Sequence, residues 1–172
     1  MSLNVHNFKS INMDDKPIDI LQTILNICSH LSIDICCLQE YYTDIEIKSD
    51  KYSYIKDVSH VGLVVIYKKE LPIENISSFK LPNQKYLDER RFGLMFELHS
   101  KKFVVTHLEV GKRFFDRSGS LLFADELYKI IKINYNIRVK QLKRILETNP
   151  DYIIGDFNFN NLDDEYKFMT KE

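Results

Sequence analysis

The triplet Asp156-Phe157-Asn158 has the clearest potential for chemistry in this 172-residue sequence. It follows the apolar run Tyr152-Ile153-Ile154 through Gly155. In an extended chain, residues two apart point the same way. Asp156 and Asn158 would then set an acceptor-only carboxylate beside an amide that both donates and accepts. Such a pair can hold a water and a phosphoryl oxygen together. The same triplet also fits an ordinary Asx turn capping a strand, and the local sequence leaves both readings open. Glu40 closes a second apolar run, Ile35-Cys36-Cys37-Leu38, where alternation places it on the side of Leu38 and Cys36. A carboxylate there has to be solvated, hydrogen-bonded or bound to a cation. Asn7, in Val5-His6-Asn7-Phe8, and His107, in Val104-Val105-Thr106-His107-Leu108-Glu109, complete the candidates. Taken singly, a polar residue near a strand end is more often merely hydrogen-bonded than catalytic.

These residues need strand ends to hold them, and the hydrophobic pattern supplies such ends. Asp34–Glu40, Leu63–Tyr67, Phe92–Leu98, Lys102–His107 and Tyr152–Ile154 are short apolar runs bounded by polar residues. They read as buried strands because they are too short for helices. Ile20, Leu21, Ile24, Leu25, Cys28 and Leu31 recur at helical spacing after Pro17, which suits a helix start. A second helical pattern spans Leu121 to Glu147, with Asn134-Tyr135-Asn136 as a potential interruption, and Pro150 ends it. Helix, strands, helix and strand in this order predict an α/β fold, with helices outside two packed β-sheets. Ligands of α/β proteins usually sit where strands end, which is where the candidate residues lie.

Composition narrows the function classes. The formal net charge of −1 excludes a polyelectrolyte built for bulk attraction to nucleic acid or anionic lipid. Apolar residues are frequent enough for a packed core, and the length fits one domain over residues 1–172. The longest clean apolar run, Leu63–Tyr67, is far below the roughly 20 residues that span a bilayer, so no membrane association is expected. Three cysteines, with Cys36 and Cys37 adjacent and no CxxC spacing, suggest neither a disulfide framework nor a zinc site. Polar Asn4, His6, Asn7 and Lys9 interrupt any secretory apolar stretch. The expected location is intracellular, cytoplasmic or nuclear, and no obligate protein partner is evident.

In chain order, NVHNF, DICCLQE, GLVVIYKK, FVVTHLE, RVKQLKRIL and PDYIIGDFNFN resemble the motifs of the endonuclease/exonuclease/phosphatase superfamily of metal-dependent phosphoesterases. The segments DICCLQE, VVTHLE and RVKQLKRIL look most like its 5′-tyrosyl-DNA phosphodiesterase branch. The resemblance implies a four-layer α/β/β/α sandwich and in-line attack of water on a phosphodiester, with DNA as the expected substrate. Glu40 would be the ligand of Mg²⁺, or of Mn²⁺ in its place, and Asn7 would sit beside the metal and touch the scissile phosphate. Asp156 and Asn158 would orient or deprotonate the attacking water and bind a phosphate oxygen. His107 would hydrogen-bond a phosphate oxygen from the opposite sheet. Arg138 and Gln141 match an Arg-x-x-Gln element that ties a helix to the sheet.

Two departures from the family pattern modify these expectations. The family finishes with an Asp-His pair beyond the GDFN element, and no such pair follows Asn158 in this sequence. The domain therefore reads as incomplete at its C-terminus, and little or no hydrolase activity is expected of this polypeptide alone. The alternative function is a phosphate- or nucleic-acid-binding module on the same scaffold. Residues 110–137 also form a basic insertion. Lys112, Arg113, Arg117 and, just after it, Arg138 could guide a nucleic-acid backbone, with affinity that falls as salt rises; a solvated helix face is the competing reading.

Overall fold

The structure is a computed structural model that describes residues 1–5, 16–56, 62–83, 91–108 and 124–158, with backbone alone over 124–128. Ten elements follow in chain order: β1 (Ser2–Asn4), α1 (Pro17–His30), β2 (Ile35–Gln39), β3 (Tyr52–Lys56), β4 (Val64–Lys68), β5 (Ile73–Lys80), β6 (Phe92–Leu98), β7 (Lys101–His107), α2 (Ala124–Leu146) and β8 (Tyr152–Asp156). The five apolar runs read from sequence are all strands, with boundaries within two residues. β1, β3 and β5 are strands the sequence reading did not contain. Asn134-Tyr135-Asn136 does not interrupt α2, which is continuous through it.

The strands form two four-stranded sheets, ordered β1-β2-β4-β3 and β5-β6-β7-β8. Each sheet is mostly antiparallel but has one parallel pair at the site, β1 with β2 and β7 with β8. A parallel pair cannot be closed by a tight turn and needs a crossover. The first crossover carries α1 and the second carries α2, so each half of the chain contains one βαβ unit.

Alternation along the strands divides the core into three. Between the sheets, Cys37, Ile55, Leu63 and Val65 of the first half meet Leu94, Phe96 and Val105 of the second. On the outer face of the first sheet, Leu21, Ile24, Leu25 and Cys28 of α1 cover Cys36, Leu38, Val64 and Ile66. On the outer face of the second, Leu142 and Ile145 of α2 cover Val104, Leu81 and Leu108. The result is the expected four-layer α/β/β/α sandwich. Full burial of side chains such as Leu142 and Ile145 contributes roughly 1.5–3 kcal/mol each. All three cysteines are buried and free. Burial pushes the Cys37 thiol up to about 12 and also raises Cys36, so they act as small apolar side chains and not as nucleophiles. Among the described residues, no helix is long and apolar enough to cross a membrane.

Candidate active site

The two parallel pairs end at the same place. Register sets Asn4 opposite Gln39 in the first sheet and His107 opposite Asp156 in the second. The residues that collect there, Asn4, Glu40, His107 and Asp156, therefore lie at the carboxyl ends of β1, β2, β7 and β8, or one residue beyond. The Asn4 amide joins the two sheets: its Nδ2 donates to Glu40 Oε1 and to Asp156 Oδ2, at 2.9 Å each. An amide nitrogen has two N–H groups, and here each carboxylate takes one.

His107 stands behind this bridge. Its Nε2 lies 3.7 Å from Glu40 Oε1 and 3.9 Å from Asp156 Oδ2, and its Nδ1 lies 3.1 Å from Arg91 Nη1. Side-chain exposure rises from 4% at His107 to 18% at Glu40 and 30% at Asp156, so the imidazole is the buried member of the cluster and Asp156 its most exposed. A cleft of about 410 Å³ reaches the cluster through Asn4 and Asp156; it is lined by Ser2, Leu3, Asn4, Gln39 and the segment Gly155–Asn158. Gln39 is itself buried, accepting from Ser2 Oγ at 3.3 Å and donating to Cys37 O at 3.2 Å.

Glu40 does not follow the alternation expected of it. Leu38 and Cys36 pack under α1, whereas the Glu40 carboxylate meets Asn4 and faces His107 of the second sheet. The reason is local: Glu40 has φ 59°, a left-handed conformation that turns the side chain away from the strand's alternation and costs an L-residue roughly 1–2 kcal/mol. The expectation for Asp156 and Asn158 also changes. Asn158 has φ 54°, so the two side chains are not presented by an extended chain. Asp156 Oδ1 instead accepts from the Asn158 backbone N–H at 2.9 Å, which is an Asx turn. Asn158 Nδ2 donates to Leu108 O at 2.8 Å. The turn and the site coexist, because Asp156 gives one oxygen to each.

The remaining predicted residues distribute as follows. Asn7, Lys112, Arg113 and Arg117 lie outside the described residues. Arg138 is half-buried on α2, and its neighbour in the Arg-x-x-Gln element, Gln141, donates to Pro82 O at 2.7 Å, tying the helix to the segment after β5. Lys129, Lys132, Lys140 and Lys143 are exposed, as a solvated helix face would be. Two participants were missed. Asn4 lies in a strand of three residues, too short for a period-two pattern to mark it. Arg91 carries no local signal; only the register of β6 against β7, Gly93 opposite Thr106, places it near His107.

Glu40 and Asp156 offer hard oxygen donors on either side of one amide, open to solvent on the outer side. Among the described residues, no group of three or more His, Cys, Asp or Glu side chains is disposed to hold a metal. This donor set does not suit a closed zinc cage, which needs three or four protein ligands. It does suit Mg²⁺, which usually keeps several waters and takes one or two carboxylates.

No family model and no curated protein sequence matches the chain. Solved structures do. TDP2 from Caenorhabditis elegans superimposes with a TM-score of 0.54 at 14% identity, covering 93% of this chain and 47% of the TDP2 chain. D. rerio TDP2 complexed with single-strand DNA product gives 0.57 at 16% identity, over 98% of this chain and 63% of the other. An endonuclease/exonuclease/phosphatase family protein from Leptotrichia buccalis gives 0.53 at 12% identity, over 99% and 70%. The chain thus spans about half of the C. elegans TDP2 structure and under two thirds of the D. rerio one. Two packed mixed sheets with a helix on each outer face, and polar residues gathered where the parallel strands end, make this the fold of TDP2 and of the endonuclease/exonuclease/phosphatase proteins.

Proposed function

We propose that this chain carries a magnesium-dependent phosphodiesterase site, with Mn²⁺ able to substitute, directed at DNA ends or 5′-tyrosyl-DNA adducts. The observation that carries the reading is the Asn4 amide holding one carboxylate from each sheet at 2.9 Å, with His107 beneath them. The part that the resemblance assigned to Asn7 falls in this reading to Asn4. Glu40 would hold the cation, with Asp156 beside it, and the metal when bound supplies neutralisation of charge on the phosphoryl group.

The chain's own residues do the rest. Asp156 orients the attacking water and can accept its proton. One N–H of the Asn158 amide is taken by Leu108, which leaves the second for a phosphate oxygen. His107, behind the two carboxylates, would donate to another phosphate oxygen admitted between them. Support for a nucleic-acid substrate comes from the D. rerio structure with its single-strand DNA product and from the basic residues Lys112, Arg113, Arg117 and Arg138. Free, buried cysteines accord with an intracellular site of action.

The test is calorimetric titration of the purified chain with Mg²⁺ and Mn²⁺, alongside cleavage of a 5′-tyrosyl oligonucleotide and an abasic duplex. The expected result is divalent binding that Glu40→Gln abolishes and, since no Asp-His pair follows Asn158, cleavage that is weak at most and that the same change removes. Binding without turnover moves the chain to the phosphate- or nucleic-acid-binding reading. Failure to bind either cation, or cleavage indifferent to Glu40→Gln, overturns the proposal.

A further inference from the structure

Arg91 and His107 together settle a question of proton placement. The Arg91 side chain is 5% exposed, and its Nη1 lies 3.1 Å from His107 Nδ1 in a buried contact. A guanidinium carries only donors and stays protonated in proteins. The imidazole nitrogen that faces it must therefore offer its lone pair. Were Nδ1 the protonated nitrogen, two donors would oppose each other. The single proton of the neutral ring belongs on the far nitrogen, Nε2, the atom 3.7 Å from Glu40 Oε1 and 3.9 Å from Asp156 Oδ2.

We propose that Arg91 is a positioning residue that fixes His107 as its Nε2–H tautomer, so that the ring turns a hydrogen-bond donor and not a lone pair toward Glu40 and Asp156. The mounting of Arg91 suits this role. It directly precedes β6, and its carbonyl accepts from Leu81 N–H at 2.8 Å, which closes the neck of the β5–β6 connection. Gln141 holds the adjacent Pro82 carbonyl at 2.7 Å. The guanidinium is thus delivered to His107 from a base fixed by a strand and a helix.

Two consequences follow for what the cleft accepts. A ring that donates from Nε2 matches ligands rich in acceptors, such as phosphate oxygens. A protonated Nε2 cannot ligate a metal, so a cation in the cleft meets oxygen donors alone, which favours Mg²⁺ or Mn²⁺ over Zn²⁺. These consequences rest on the phosphodiesterase reading; the tautomer itself does not.

The experiment is a long-range ¹H–¹⁵N correlation spectrum of the full chain labelled at histidine, with His107 assigned by its loss in His107→Gln. The wild-type spectrum is expected to show a protonated, pyrrole-type Nε2 and an unprotonated Nδ1 for His107. Arg91→Met should replace this with a mixture of tautomers, and Arg91→Lys, which keeps a donor, should restore it. A protonated Nδ1 in the wild type overturns the proposal even if Arg91→Met does not fold, and so does an unchanged tautomer in a folded Arg91→Met. Binding of inorganic phosphate in the presence of Mg²⁺ separates the two levels. It should weaken about tenfold in Arg91→Met. An intact tautomer effect without that loss counts against the phosphodiesterase reading and leaves the role of Arg91 standing.

Discussion

The two βαβ units perform the same task by different means. The first, β1-α1-β2, ends on Asn4 and Glu40; the second, β7-α2-β8, ends on His107 and Asp156. Each contributes one neutral polar side chain and one carboxylate to a shared point. In the second unit the unusual backbone falls on residues suited to it. Gly155 has φ 152° and lies so close to β7 that a Cβ would sit 1.8 Å from Thr106 O, and Asn158 takes the left-handed turn. In the first unit the functional residue itself is strained, since Glu40 has φ 59°. The second carboxylate is held by its Asx turn, and the Asp156 carbonyl also accepts from Leu108 N–H at 2.9 Å. The Glu40 carboxylate sits at 2.9 Å from Asn4. The comparison teaches that a precise carboxylate can be placed either by a locked strand end or by a strained residue that the surrounding fold holds in position.

The largest effect should come from breaking the locked unit. Gly155→Ala forces the β7–β8 pair apart and is expected to cost about 4 kcal/mol, read by urea unfolding, with divalent binding lost as well. A loss near 1 kcal/mol would mean that the strand end is softer than its geometry implies. Next comes Asp156→Ala, expected to cost about 1–2 kcal/mol because the Asn158 N–H loses its acceptor. Asp156→Asn, which can still accept from Asn158, should cost less than half as much while weakening cation binding similarly. Equal losses in the two variants would remove the Asx turn from the account.

The smallest effect tests the strained unit. Glu40→Gly relieves the left-handed conformation and should leave stability unchanged or raise it by up to about 1 kcal/mol, although divalent binding disappears. A clear destabilisation would show that Glu40 is not held against its own preference.

What was legible in the sequence follows from how each element is buried. β2, β4, β6 and β7 have most of their residues buried or partly buried, and β8 keeps a part-buried Ile153-Ile154 pair, so short apolar runs betray them. β5, Ile73-Glu74-Asn75-Ile76-Ser77-Ser78-Phe79-Lys80, lies at a sheet edge with much of its length exposed, so its pattern is too polar to stand out. β3 is an edge of the first sheet. β1 has three residues, below the length at which periodicity can speak. That brevity moved attention from Asn4 to Asn7, in the apolar-flanked run beside it. Glu40, His107 and Asp156 were found because motif order located them, yet their geometry was not, because left-handed φ values and a diagonal contact between β6 and β7 leave no periodic trace. Arg91 belongs to the same class: its meaning comes from its partner across the sheet.

The Asn4 bridge also bears on how the chain folds. Its longer hydrogen-bonded arm joins residues 152 apart in sequence, close to the widest separation the described residues allow. Loop-closure entropy makes such contacts late and slow to form. During synthesis, β1, α1 and β2 emerge long before β8, so Asn4 and Glu40 must wait for Asp156 with half of their cluster missing. The cleft is therefore a product of the final docking of the two halves, and a partly made chain has no completed pair of carboxylates to offer a metal.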